Sequence, residues 1–90
     1  MQRIERSFTI LNSLGLHARP AAMLVQAANR FSSDVQIEKD GTSVNAKSIM
    51  GVLTLAASKG SSILVTCEGD DAAQAMEAMA KVIESGFGEK

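Results

Sequence analysis

The apolar residues of this chain change their spacing segment by segment, from every second residue to every third or fourth and back, and few folds satisfy that order. Across residues 3–10, Ile4, Phe8 and Ile10 hold alternate positions, with Arg6 the exception and Glu5, Ser7 and Thr9 polar between them. This is the pattern of a half-buried strand. Across residues 18–31, Ala21, Leu24, Val25, Ala28 and Phe31 fall on one face of a helix. Residues 34–38 alternate again, with Val35 and Ile37 inward. Asp40-Gly41 follows, a hairpin signal because a type I′ turn needs positive φ at both central residues. Residues 42–46 return as the partner strand through Val44. A short helix is expected over residues 48–57, broken by Lys59-Gly60, and then a strand over 61–68 with Ile63, Val65 and Cys67 on one face. Gly69-Asp70 caps a last helix whose inner stripe is Ala73, Met76, Met79, Ala80 and Ile83, and Gly86 stops it.

The order is β-α-β-β-α-β-α. Four short strands with one apolar face, and helices to cover it, make an α+β two-layer open-faced sandwich in a single domain over residues 1–90. A chain of this length has room for one modest core. Apolar residues at 46 % and charged residues at 21 % rule against disorder. Nine basic against ten acidic residues, a net charge of -1, will not hold a nucleic-acid backbone. Three phenylalanines with no Trp or Tyr offer no stacking platform for bases. One His and one Cys exclude clustered metal ligands, so no metal and no cofactor are expected. Lone Cys67 cannot form an internal disulfide, and no apolar run approaches the roughly 20 residues that span a bilayer. No secretory leader is read at the N-terminus, and a cytoplasmic location without membrane insertion is expected.

Chemistry concentrates in Leu14-Gly15-Leu16-His17-Ala18-Arg19-Pro20, which joins the first strand to the first helix. Pro20 suits a first helical turn, whose N–H groups lack intrahelical partners. A residue before proline is pushed from helical angles, so either Arg19 or His17 is the cap. In both cases His17 stands by open N–H groups and the positive end of a helix dipole, which together attract anions and disfavour imidazolium. A neutral imidazole is a nucleophile that can take a phosphoryl group reversibly. Arg19 adds a fork for phosphate oxygens, and Gly15 allows a sharp turn and close approach by a partner's backbone. No general base and no second catalytic residue is in view. Each of these residues, taken alone, also has an ordinary capping or surface role.

Gly15-Leu16-His17-Ala18-Arg19-Pro20-Ala21 resembles the active-site motif of HPr, the histidine-containing phosphocarrier family of the bacterial phosphoenolpyruvate-dependent sugar phosphotransferase system (PTS). Ala46-Lys47-Ser48-Ile49-Met50-Gly51-Val52 resembles the same family's regulatory-serine segment, and residues 68–72 and 84–89 are also similar. The resemblance covers essentially the whole chain. It implies an antiparallel sheet in the order 1-4-2-3 under three helices. It implies that His17 is phosphorylated on Nδ1 by phospho-Enzyme I, assisted by Arg19, and passes the group to sugar-specific IIA components. Ser48 is implied as the regulatory site of a dedicated HPr serine kinase/phosphorylase. A monomer is expected, and the resemblance implies one surface that meets donor and acceptor, assigned here to Leu16, Ala18, Ile49, Met50 and Leu53. Two other readings are a nitrogen-pathway (NPr-type) carrier, which Leu14 favours, and a mainly regulatory binding module. The family's regulatory siblings lack the histidine, and this chain has it.

Ser48 and the short helix can also be read without the family. Ser48 is a good N-cap, and a phosphate there would put negative charge within the docking face. If Val52 and Leu55 point inward, then Ile49, Met50 and Leu53 lie outside, an apolar patch that marks a partner surface. Met50 suits a carrier that must fit more than one protein.

Overall fold

The computed structural model describes residues 2–89; Met1 and Lys90, which the single-domain reading includes, lie outside the described residues. The elements are β1 (Gln2–Thr9), α1 (Ala18–Ala28), β2 (Asp34–Lys39), β3 (Thr42–Asn45), α2 (Ile49–Thr54), β4 (Ser62–Gly69) and α3 (Ala72–Glu84), followed by a 3₁₀ turn, Gly86–Gly88. The strands form one antiparallel sheet in the order β1-β4-β2-β3. That is the expected two-layer sandwich and the expected strand order.

Register follows from the alternation, because a slip of one residue would turn every side chain to the other face. Ile4 and Val35 lie on either side of Cys67, Phe8 opposes Ile63, and Ile37 pairs with both Val65 and Val44. These side chains meet Leu24 from α1, Val52 from α2 and Met79 and Ile83 from α3, all fully buried. Asp40 and Gly41 both have positive φ (51° and 85°), as the hairpin requires. Arg6, the exception in β1, stands opposite Val65 but stays exposed, crossing the Phe8 ring at 4.8 Å and reaching Glu84 at 3.5 Å.

Several boundaries differ from the sequence reading. Helix α1 ends at Ala28, and Phe31 packs half-buried beyond it. Helix α2 stops at Thr54 rather than near Ala57, because Ala56 turns to a positive φ of 49°. On α3 Ala80 is buried as expected, but the other buried alanines are Ala72 and Ala75, while Ala73 faces solvent. The cap of α3 is Asp71, not Gly69-Asp70. Its carboxylate accepts from the Ser32 and Ser33 N–H groups, each at 2.9 Å, and from the Ser33 hydroxyl, tying the loop before β2 to the start of α3. Among the described residues no helix is long and apolar enough to cross a membrane.

Candidate functional site

The site is a loop wound around a buried amide. Asn12 is 1 % exposed, and its Nδ2 donates to the Gly15 carbonyl at 2.8 Å. The Gly15 N–H returns to the Asn12 carbonyl at 3.2 Å, and the His17 N–H reaches the Gly15 carbonyl at 3.0 Å. Leu16 N–H bonds the Ala57 carbonyl at 2.8 Å, docking the loop on the segment after α2. Gly15, with φ +67°, is demanded by that docking: a Cβ there would lie 2.3 Å from the Ala57 carbonyl oxygen. Its expected service to a partner's backbone is thus taken by the chain's own backbone.

His17 is the N-cap of α1, with extended backbone (φ -84°, ψ -169°), and Arg19 is helical despite preceding Pro20. Arg19 thus adopts helical angles against the pre-proline preference, while the missing N–H of Pro20 costs nothing in the first turn. The first bond of α1 runs from Ala21 N–H to the His17 carbonyl, so the Ala18 and Arg19 N–H groups have no intrahelical acceptor. The His17 side chain makes no capping bond to its helix and is 36 % exposed. An imidazole, open N–H groups and the positive end of an 11-residue helix therefore share one surface.

The second partner of His17 comes from far along the chain. Glu89, just after the 3₁₀ turn, places Oε2 3.0 Å from His17 Nε2, and its Oε1 accepts from Asn12 Nδ2 at 2.8 Å. The Asn12 amide, aided by His17, holds the Glu89 carboxyl below the usual carboxylate range. Two acceptors, Gly15 O and Glu89 Oε1, fix the orientation of the Asn12 amide and leave its buried Oδ1 without a partner among the described residues. Phe87, buried at 2 %, anchors the 3₁₀ turn that carries Glu89 into place. Sequence reading named Arg19 but no general base beside His17; among the described residues the ring's carboxylate partner comes from Glu89, far along the chain.

The other expected site residues separate. Ala18 and Arg19 are exposed on the first turn of α1. Leu16, expected on the docking surface, is instead 4 % exposed and belongs to the core, where it seats the loop. Leu53 is half-buried and packs against the core, whereas Ile49 (43 % exposed) and Met50 (74 %) do face outward. Two exposed leucines went unassigned to this surface: Leu11 (52 %) and Leu14 (73 %) in the loop that leads to His17. Ser48 caps α2, its hydroxyl accepting from Gly51 N–H at 3.1 Å, as its position before the helix suggested. Lys47 reaches across to the Phe31 carbonyl at 2.9 Å.

Comparison with known proteins places these motifs in a family. Residues 4–85 match the family described as PTS HPr component phosphorylation site. The chain is 52 % identical over 81 residues to an HPr-like protein Crh from Halalkalibacterium halodurans, covering 90 % of this chain and 96 % of that one. It is 46 % identical over 86 residues to a phosphocarrier protein HPr from Cupriavidus necator, covering 96 % and 97 %. A crystal structure of an HPr from Thermoanaerobacter tengcongensis superimposes with a TM-score of 0.93 at 49 % identity, covering 97 % of this chain and 98 % of that chain.

Proposed function

The chain belongs to the HPr family of PTS phosphocarriers, and from that premise we propose that His17 accepts a phosphoryl group from phospho-Enzyme I and passes it to a sugar-specific IIA protein. The observation that carries this reading is the exposed His17 ring at the start of α1, beside the open N–H groups of Ala18 and Arg19. Those groups and the helix dipole attract the oxygens of the incoming phosphoryl group. Arg19, on the same turn, adds a guanidinium fork to them. The carrier needs no cofactor: the energy of the transferred bond comes from the donor and leaves with the acceptor. It acts as a monomer in the cytoplasm, as its resemblance to the family implies.

Incubation with Enzyme I and labelled phosphoenolpyruvate should place one acid-labile phosphate on each chain and none on His17→Ala. Label that survives that substitution defeats the assignment. Ser48 is the regulatory site: a phosphate there, added by a serine kinase, sets negative charge next to exposed Ile49 and Met50 and impedes docking. The 52 % identity to an HPr-like protein Crh favours a second, regulatory use of this same face. Sugar uptake that depends on Ser48 but not on His17 would make the regulatory use the main one.

A further inference from the structure

We propose that Glu89 is a positioning residue for phosphoryl transfer at His17: held by the Asn12 amide, its carboxylate takes the hydrogen bond of Nε2–H and leaves Nδ1 as the ring atom that receives the phosphoryl group. The inference rests on the phosphocarrier reading and deepens it.

An ionised carboxylate can only accept hydrogen bonds. With Oε2 3.0 Å from Nε2, the neutral ring must carry its proton on Nε2, and its lone pair then lies on Nδ1. Asn12, 1 % exposed, grips the other carboxylate oxygen at 2.8 Å, so Glu89 is itself oriented. Phe87, buried at 2 % two residues earlier, holds the backbone that delivers it. The charged group that faces this pair from α1 is Arg19, whose cation, like the Asn12 bond, favours the ionised form of Glu89.

The transfer balances without a base. The Nδ1 lone pair forms the N–P bond, and the donor's bond to phosphorus breaks with its electron pair leaving on the donor. The proton stays on Nε2 throughout. The ring then carries a positive charge, which the Glu89 carboxylate offsets at 3.0 Å. A ring kept in that form is a good leaving group, so onward transfer returns the N–P electron pair to Nδ1 and restores the starting tautomer. His17 thus requires an orienting group rather than a general base, the division of labour a carboxylate performs for a catalytic histidine elsewhere.

Glu89→Gln is the sharpest test. The Gln carbonyl would keep the Asn12 bond and turn its NH₂ toward Nε2, which must then accept, reversing the tautomer and removing the Nδ1 lone pair. Glu89→Ala merely releases the ring to solvent, and Glu89→Asp keeps a carboxylate of shorter reach. The ¹⁵N shifts of the His17 ring should show Nε2–H in the parent chain, a mixture in Glu89→Ala and mainly Nδ1–H in Glu89→Gln. Phosphorylation by Enzyme I should slow about ten-fold in Glu89→Ala and further in Glu89→Gln, with partial recovery in Glu89→Asp. Glu89→Gln matching the parent in rate and in ring shifts overturns the proposal. If His17→Ala still takes label, the phosphocarrier reading itself fails; if only His17 is labelled and Glu89 is indifferent, the positioning role alone fails.

Discussion

At single residues, the loop that carries His17 is held by two left-handed backbones of opposite merit. Gly15 at φ +67° has no room for a side chain: a Cβ would lie 2.3 Å from the Ala57 oxygen and 2.8 Å from Ser58 Cα, both backbone atoms that cannot step aside. Gly15→Ala should cost upward of about 2 kcal/mol, since the left-handed penalty alone is about 1–2 kcal/mol and the clash adds to it. Ala56 sits at φ 49° with its methyl exposed to the same penalty. Ala56→Gly relieves that strain but frees the unfolded chain, a loss of about 0.5–1 kcal/mol. The net expected gain is about 0.5 kcal/mol. Urea denaturation of both variants checks the pair: the two substitutions must move the midpoint in opposite directions.

At the level of elements, the start of α3 and the loop before β2 are joined through one carboxylate. Three donors from Ser32 and Ser33 converge on Asp71, led by the Ser33 hydroxyl, and lower its pKa from the ordinary 3.8 to about 2. Because the folded value lies below the unfolded one, ionised Asp71 stabilises the fold fully above about pH 4. That contribution is lost as pH falls from there through about 2. Asp71→Asn should therefore melt lower than the parent at pH 7, with the gap closing between pH 4 and pH 2. A melting-temperature gap that is the same at pH 7 and pH 2 would rule out this staple. The same logic of distant joining applies to the 3₁₀ turn, where buried Phe87 ties Glu89 to the site 72 residues away from it in sequence.

Across the whole molecule, the apolar surface gathers in the segments that lead to His17 and to Ser48. Leu11 and Leu14 precede the histidine, and Ile49 and Met50 open the helix that Ser48 caps. With a net charge of -1, recognition leans on this apolar contact more than on long-range attraction. Met50 is 74 % exposed, so Met50→Ser should change stability by less than about 0.5 kcal/mol while slowing phosphoryl transfer to His17 several-fold. Thermal unfolding and transfer kinetics on one preparation decide it: an unchanged rate takes Met50 off the docking surface.

The alternation in the four strands, the helical stripes, the hairpin at Asp40-Gly41 and the Ser48 cap were legible in the sequence, because each is written in residues close together along the chain. So was the place of His17 at a strand-to-helix junction. Where the local signal was degenerate, the reading slipped. Residues 72, 73, 75, 78 and 80 are all alanine, so composition could not choose the inner face of α3, and packing chose Ala72, Ala75 and Ala80. A loop residue has no period at all, so Leu16 gave no sign that it would enter the core. The carboxylate on His17 was invisible for a deeper reason. Residues 12, 17 and 89 meet only because β1 pairs with β4 and α3 crosses back over both. Periodicity is a property of neighbours, and a contact between distant segments is a property of topology.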